Sequence, residues 1–314
     1  MSLISTRNRY FVGGFHIVTD LTLPGARKIG GDVSPDDLQL DVHTGTSPIP
    51  KTTPDGDVLA EYRQGDYGHC VVRTPSHLLF RLFGSCDFHI THDLRTVTAI
   101  HNDGVADDLL ATWCCGALLS TLTVLSGSWA IHAGAIEFPD GTGLAFAGGS
   151  GAGKTTLVAA CCLLGSKLVT DDVLIINFRE AERVEACGGC TELRLRRPAT
   201  ELGHLPETWP SRVTADGRLA VRPPIIGSEQ ARLGRIVIPS RSESPTLQVR
   251  RLTGAEAFME LAKYPRTAGW IEPRILASRF HILSSLVRGT TVWRAEIPVG
   301  APVQSIEELR QLTA

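Results

Sequence analysis

A chain of 314 residues is long enough to bury one or two hydrophobic cores. Hydrophobic residues make up 43% of it and charged residues 20%, which excludes a disordered or fibrous chain and predicts a folded protein. The net charge of −2 is small, and no basic run carries interleaved aromatic residues, so no nucleic-acid partner is expected.

The N-terminal segment and the cysteines bear on location. The first 14 residues lack an apolar core, so a cleaved signal peptide is not expected. The chain has eight cysteines, and two adjacent pairs, Cys114–Cys115 and Cys161–Cys162, lie in apolar runs. Cysteine in such a run behaves as a small buried hydrophobe and stays reduced in the cytoplasm. A cytoplasmic location is therefore the expectation.

The first third of the chain predicts strands. Short apolar or alternating runs are separated by Gly, Pro, Asp and Asn, which is typical of strands joined by turns. The predicted runs are 10–18, 38–42, 69–73, 78–82, 88–91 and 97–101. We interpret residues 1–104 as a strand-rich N-terminal domain, and residues 105–314 as a second domain.

A long apolar helix is predicted from about 105 to 125, with two aspartates in its first turn. No charged residue occurs over 109–131, which is long enough to span a bilayer. The run also contains six Ser or Thr side chains, together with Gly116 and Gly127. We therefore interpret it as a buried helix that ends near Gly127, and expect no membrane partner.

The next segment has the pattern of strands leading into a loop and a helix. Residues 129–136 predict a strand, 139–141 a turn, and 143–147 a second strand that runs into Gly148. A helix over 155–164 would end at Gly165, and short strands at 168–169 and 173–178 follow. Later in the chain we predict strands at 235–238, 246–252 and 291–297, and helices at 254–263, 275–287 and 305–312.

The loop between the second strand and its helix reads GGSGAGKT over residues 148–155, which fits G-x-x-x-x-G-K-[ST]. Glycines let several N–H groups point at one phosphate, and the helix that follows adds its N-terminal dipole. We expect MgATP here, with the side chain of Lys154 on the β- and γ-phosphates, exposed when the loop is empty, and Thr155 on Mg²⁺. The predicted nucleotide-binding residues are Gly148, Gly149, Ser150, Gly151, Ala152, Gly153, Lys154, Thr155 and Thr156.

Two acidic residues, Asp171 and Asp172, follow 17 and 18 positions after Lys154. One helix and one short strand fill the interval, which would return the chain beside the loop. One carboxylate of such a pair can orient or deprotonate an attacking hydroxyl. The other can hold Mg²⁺ through water or fix a neighbouring histidine. His132 is a candidate histidine, because the turn at 139–141 should fold its strand back toward the loop.

Two further patterns leave alternatives open. Cys187 and Cys190 have C-x-x-C spacing, but no second ligand pair lies nearby, so a Gly-Gly hairpin turn is favoured over a zinc or redox site. We predict no bound metal there, and no loss of activity when both become Ser. Residues 191–294 contain 16 arginines and one lysine. They form either a solvated surface or a face toward phosphates or an acidic partner.

Around these residues the chain resembles the catalytic domain of the HPr kinase/phosphorylase family. The shared order is a His on a strand (His132), a hairpin, the glycine-rich loop, its helix, Gly165, a strand and the pair Asp171-Asp172. The similarity is clearest over about 129–178 and weaker to the end of the chain. It implies an α/β fold, a P-loop catalytic domain related to phosphoenolpyruvate carboxykinase, preceded here by the strand-rich region.

The resemblance also implies an activity and residue roles. It implies an ATP-dependent Ser/Thr kinase acting on a small protein or peptide, with Asp171 as general base and Asp172 paired with His132. The family's signature after the Asp pair is matched only by Glu192 and Arg194, which would approach the phosphates or Mg²⁺. The run 193–197 lacks that signature's glycines, so we predict little phosphorolysis of the product.

Three functions remain open at this stage. They are a protein or peptide kinase, a kinase of a small-molecule hydroxyl, and a non-catalytic nucleotide-binding sensor. The Lys154, Thr155 and Asp171 set favours catalysis over sensing. Self-association into a homo-oligomer stays open, and the sequence leaves the acceptor unnamed.

Overall fold

A computed structural model describes residues 7–179, 183–196, 202, 205–300 and 302–312. Within them the chain is a mixed α/β protein with large sheets that forms two compact units. The first unit runs to Gly127 and includes Thr267–Arg279, and the second contains Ser128–Arg266 and the chain from Phe280 onward.

The described helices include an apolar set before residue 130 and four later ones. They are α1 Asp107–Trp113, a π-helical stretch Cys114–Leu118, α2 Leu119–Leu125, α3 Lys154–Leu163, α4 Gly254–Leu261, α5 Pro273–Gly289 and α6 Pro302–Leu312.

The first unit is built on a nine-stranded sheet in the order β3-β1-β2-β4-β9-β8-β7-β6-β5. Its strands are β1 Asn8–Val12, β2 Phe15–Thr19, β3 Arg27–Lys28, β4 Leu38–Thr44, β5 Asp57–Gln64, β6 Tyr67–Arg73, β7 Leu78–Leu82, β8 Cys86–Ile90 and β9 Thr96–His101. The strand-rich prediction for this part of the chain is confirmed.

One strand prediction in this sheet is wrong in detail, and two of its strands, β3 and β5, lie outside the predicted runs. The run 10–18 is a hairpin, because Gly13 and Gly14 take φ of 62° and 81° and turn the chain between β1 and β2. Strand β5 was not predicted. Its second half is charged and exposed, so it lacks the alternating apolar pattern that marks a strand.

The two compact units divide the chain at a different place from the predicted boundary at 104/105. The predicted helix exists as the continuous run Asp107–Leu125, but it belongs to the first unit, which extends to Gly127. By length and composition this helix could cross a membrane, with a mean hydropathy of 1.5. However, 67% of that apolar window is buried within the protein, as in a core helix.

The second unit holds a larger sheet and a small one. Its strands are β10 Trp129–Ile131, β11 Ala133–Glu137, β12 Thr142–Ala147, β13 Lys167–Thr170, β14 Leu174–Arg179, β15 Arg183–Cys187, β16 Leu193–Leu195, β17 Ser211–Val213, β18 Leu219–Val221, β19 Gln230–Ser242, β20 Gln248–Arg251 and β21 Thr291–Pro298. The small sheet has the order β16-β18-β17, and the others form the larger sheet.

Strand β11 determines where the candidate site lies. It pairs antiparallel with β12 on one side and with β13 on the other, through Ala133↔Ala147 and Ala135↔Thr170. Strands β12 and β13 are therefore parallel to each other, and both end at the edge where β11 begins. The predicted strand 129–136 breaks at His132, which leaves that residue at the same edge.

Helix α3 is anchored at this edge by burial. It is apolar around most of its surface, and Leu157 and Val158 pack with Phe146 of β12 and Leu168 of β13 in one core. Gly165, with φ of 87°, ends the helix as predicted, because it adopts the left-handed conformation common at the residue after a helix C-cap.

The Gly-Gly pair between Cys187 and Cys190 is not a hairpin turn. Neither glycine has a positive φ, and the N–H of Gly189 donates to Val169 O at 2.9 Å instead. A Cβ on Gly189 would collide with the side chain of Thr170. The glycine therefore lets this segment lie against the last residues of β13, just before Asp171.

Candidate functional site

The glycine-rich loop, residues 148–155, connects β12 to α3. Gly148 N–H donates to His132 O at 3.3 Å, and Gly151 and Gly153 take φ of 88° and 86°. Gly153 is the N-cap of α3 and supplies no side-chain cap, so the first N–H groups of the helix lack one. Such a helix terminus favours an anion. Space above the loop is open, because a Cβ on Gly149, Gly151 or Gly153 would meet nothing within 4 Å.

Lys154 is buried, contrary to the expectation that it is exposed in the empty loop. It is 6% exposed, and its Nζ donates to Gly149 O at 2.9 Å. Burial lowers the pKa of Lys154, although the charges of Asp171 and Asp172 oppose that shift. The loop thus folds over its own lysine, which still lines the open cleft.

Asp171 follows β13 directly and contacts the loop. Its carboxylate accepts a hydrogen bond from Thr155 Oγ1, at 3.0 and 3.1 Å to the two oxygens, and lies 3.4 Å from the N–H of Arg194. Burial, and after it the charge of Asp172, raise the pKa of Asp171 to about 6. A carboxylate in this state is suited to accept a proton near neutral pH.

Asp172 lines the cleft but is bound by groups outside the loop. Its φ of 70° is unusual for a residue with a side chain, and Val173 N–H donates back to Asp171 O at 2.9 Å. The carboxylate lies 3.2 Å from His132 Nε2 and 2.8 Å from Arg266 Nη2. Burial would raise the pKa of Asp172, but the charge of Arg266 and the hydrogen bond from His132 hold it well below its ordinary value.

The sequence predicts Asp172 also as a group that holds Mg²⁺. Its two oxygens are instead engaged by His132 and Arg266. Thr155 and Asp171 are the oxygen-bearing side chains that meet beside the loop. The predicted pairing of Asp172 with His132 is present in the structure.

Backbone hydrogen bonds position Arg266 beside the site. Its N–H donates to Ala130 O at 3.0 Å, and the N–H of His132 donates to Tyr264 O at 2.9 Å. Residues 264–266 therefore lie along the edge next to His132, which places the guanidinium on Asp172.

Gly134 provides room for Asp171. A Cβ at this position would lie 3.1 Å from Asp171 Oδ1 and 2.8 Å from Val158 Cγ2. Any larger residue would have to displace either the carboxylate or helix α3.

Arginines also line the cleft, which gives a location to part of the predicted arginine-rich half. Arg196 Nη2 donates to Ser150 Oγ at 2.6 Å, and Arg218 and Arg241 also line the cleft. Arg194 lines it too, although its Nη2 is 2.8 Å from Asp216. Guanidinium groups around a glycine-rich loop suit phosphate oxygens.

Glu192 does not join the site as predicted. It is 8% exposed, and its Oε2 lies 2.9 Å from Arg212 Nη2. It is absent from the cleft lining, whereas Arg194, two residues on, contributes. The ion pair with Arg212 holds the Glu192 carboxylate outside the lining of the cleft.

Sequence reasoning missed Arg266 and the roles of Gly134 and Gly189. Arg266 lies 94 residues from Asp172 in a segment without a motif, so no local signal marks it. Gly134 lies close to His132, and Gly189 lies between Cys187 and Cys190, so the sequence drew attention to their neighbours and not to the glycines. Their function depends on which backbone passes close to them, which one sequence does not reveal.

Comparisons with known proteins add little. No protein-family model and no curated protein matches this chain. Among solved structures, it is similar to the HPr(Ser) kinase/phosphatase from Coxiella burnetii, with 14% identity and a TM-score of 0.32. That match covers 59% of this chain and 95% of the other. At this level of likeness, the residues of the site themselves carry the functional assignment.

Proposed function

We propose that this protein is an ATP-dependent kinase that transfers the γ-phosphoryl group to a Ser or Thr hydroxyl of a small protein or peptide. The observation that carries the proposal is the contact between Thr155 and the buried carboxylate of Asp171, beside Lys154 and an uncapped helix N-terminus. A phosphate-binding loop and a base meet at one point, as phosphoryl transfer to an alcohol requires.

The loop supports binding of a triphosphate. The N–H groups at the start of α3 would bind one phosphate, and Lys154 would exchange its bond to Gly149 O for phosphate oxygens. Arg196, held at Ser150, would contact the same chain of phosphates. These groups spread positive charge along the triphosphate.

Magnesium fits the oxygen donors beside the loop. Mg²⁺ prefers a few hydroxyl or carboxylate oxygens and keeps several waters, and the Thr155 hydroxyl beside the loop offers one such oxygen. Bound there, the ion would neutralise charge that develops on the phosphates. Thr155 would hold it directly.

Asp171 is the proposed base. The acceptor oxygen forms a bond to the γ-phosphorus, the bond from that phosphorus to the bridging oxygen breaks, and ADP leaves. The proton of the acceptor hydroxyl passes to Asp171. His132 and Arg266 hold Asp172 in its charged form, which keeps a negative charge next to Asp171 and makes it more basic.

The acceptor, the location and the reverse reaction are part of the same proposal. A peptide or small protein in the cytoplasm would meet the cleft on the side of His132 and Asp171. We expect little phosphorolysis, because the side chains of Leu195 and Arg196 line the cleft, whereas the family that the sequence resembles has glycines there.

The test is incubation of the purified full chain with γ-labelled ATP, Mg²⁺ and either a mixed Ser/Thr peptide library or a panel of small alcohols. We expect label on peptides, and none when Mg²⁺ is chelated. If label appears only on a small alcohol, the acceptor is a small molecule and the proposal of a peptide acceptor is wrong. ATP binding without any transfer or hydrolysis would contradict a kinase and favour a sensor.

A further inference from the structure

A second, apolar groove begins where the phosphate cleft ends. It lies between the start of α3 and the turn that follows β21, and Leu157, Ile297, Pro298 and Val299 line it. Leu157 and Ile297 are 3% and 7% exposed, whereas Val299 is 51% exposed. The groove thus has a buried apolar floor and an open rim.

The groove and the cleft share three residues. Gly153, Thr156 and Arg241 line both of them, so the two spaces are continuous across the first turn of α3. His132 and Asp171 line only the cleft. The reactive end and the apolar end therefore lie on opposite sides of Thr156.

We propose that this groove binds the base and ribose of the nucleotide. The proposal rests on the proposed function, because a triphosphate with its γ-end at Asp171 must direct its other end past Thr156. That end carries a flat, largely apolar ring, which suits Leu157, Pro298 and Val299. Arg241, at the junction, would lie beside the α-phosphate and the ribose.

The geometry fixes the direction of the nucleotide. Reversed, the triphosphate would place its γ-phosphate in an apolar groove without a carboxylate, and its base among arginines. Burying phosphate oxygens without partners is costly, whereas the base gains from apolar contact.

Two ligands distinguish binding of the nucleobase from binding of the phosphates. One is MgATP, and the other is magnesium with inorganic tripolyphosphate, which has no nucleobase. The measurement is calorimetric titration of the full chain and of the variant Val299→Asn. The matched control is Val33→Asn in the first unit, since Val33 is 53% exposed and lies outside both spaces.

Val299→Asn should weaken MgATP binding by about three- to tenfold and leave tripolyphosphate binding unchanged. Val33→Asn should change neither. Unchanged MgATP affinity in Val299→Asn, or an equal loss for both ligands, would overturn the proposal that the groove binds the nucleobase. A wild-type chain that binds tripolyphosphate but not MgATP would overturn it too. If the wild-type chain binds neither ligand, the proposed nucleotide function is wrong, and the proposal for the groove is wrong with it.

Discussion

Two carboxylates with opposite environments stand next to each other at Asp171 and Asp172. Burial, and after it the charge of Asp172, raise the pKa of Asp171 to about 6, although the hydrogen bonds from its neutral donors oppose that shift. Asp172 is held by a cation, and its pKa is lowered. Environments that separate the pKa values of two neighbouring acids usually assign them different roles. Here they mark Asp171 as the group that exchanges a proton.

The first prediction concerns the pH dependence of kcat/KM, on the acid side of the profile. The carboxylate form is the base, so kcat/KM should fall as the pH drops through about 6. In Asp172→Asn a like charge is lost, the pKa of Asp171 falls, and the limb should move to lower pH. In Arg266→Met the charge of Asp172 is left unneutralised, so the limb should move to higher pH.

Rate profiles of the three proteins between pH 4.5 and 8.5, a range of about four units around neutrality, provide the measurement. Arg274→Met serves as a control, since it removes one arginine that does not line the cleft. Identical limbs in wild type and Asp172→Asn would show that Asp172 does not control Asp171.

The second prediction concerns Lys154. Because the side chain is buried, Lys154→Met preserves its apolar stem and is a cleaner change than alanine. Loss of a charged hydrogen bond to phosphate should weaken MgATP binding by about 10- to 100-fold. Lys263→Met, at an exposed lysine, is the matched control. Equal affinities in calorimetric titration of the two variants would contradict a phosphate role for Lys154.

At the scale of single residues the sequence predicted the loop and the acidic pair, because their chemistry is local. The motif names the lysine, the threonine and the glycines, and one helix and one strand bring Asp171 back beside them. It did not predict Arg266 or the contacts of Glu192. Those depend on which distant segment pairs with the edge at His132 and on which distant arginine lies beside Glu192.

Among the secondary-structure elements, the end of β13 is the most constrained part of the site. Gly189 packs against Thr170 there, and Asp171 is the next residue. Gly189→Ala should displace one of the two segments, destabilise the fold by about 1–3 kcal/mol and reduce transfer. The control is Gly234→Ala, where the added Cβ would meet nothing within 4 Å and φ is not positive.

Thermal unfolding checks this third prediction. Gly189→Ala should melt several degrees below wild type, at roughly 2–4 °C per kcal/mol for a chain of this size. Gly234→Ala should melt close to wild type. Equal melting temperatures for the two variants would show that the close approach at Gly189 has no energetic importance.

Strands and helices with strong patterns were predicted well, and those with weak patterns were not. Helix α3, its stop at Gly165 and the hairpin β11–β12 follow from apolar runs with turn residues between them. The charged strand β5 and the break at His132 are imposed by tertiary pairing. The apolar run 129–136 contains two strands, β10 and β11, that pair with different neighbours, β14 and β12. Hydrophobic periodicity does not reveal such a change of partner.

The division of the whole chain into units leads to the fourth prediction. Helix Asp107–Leu125 belongs to the first unit, together with the later segment Thr267–Arg279. A fragment that begins at residue 105 would retain this helix and lose the strands of its own unit. Its buried apolar face would then be exposed, which favours aggregation.

Size-exclusion chromatography of the fragment 105–314 and of the full chain tests this expectation. The full chain should elute as a single soluble species, and the fragment should aggregate or fail to accumulate. A soluble, cooperatively folding fragment would support the boundary at 104/105 that the sequence predicts.

The central claim is that Asp171 acts as the base in phosphoryl transfer at a site where MgATP binds independently of it. The decisive measurement compares wild type, Asp171→Asn and Asp172→Asn in MgATP titration and in transfer of γ-labelled phosphate to Ser/Thr peptides. All three proteins should bind MgATP, and Asp171→Asn should lose about 10²- to 10⁴-fold in transfer. Undiminished transfer by Asp171→Asn, or a larger loss in Asp172→Asn, would contradict the assignment.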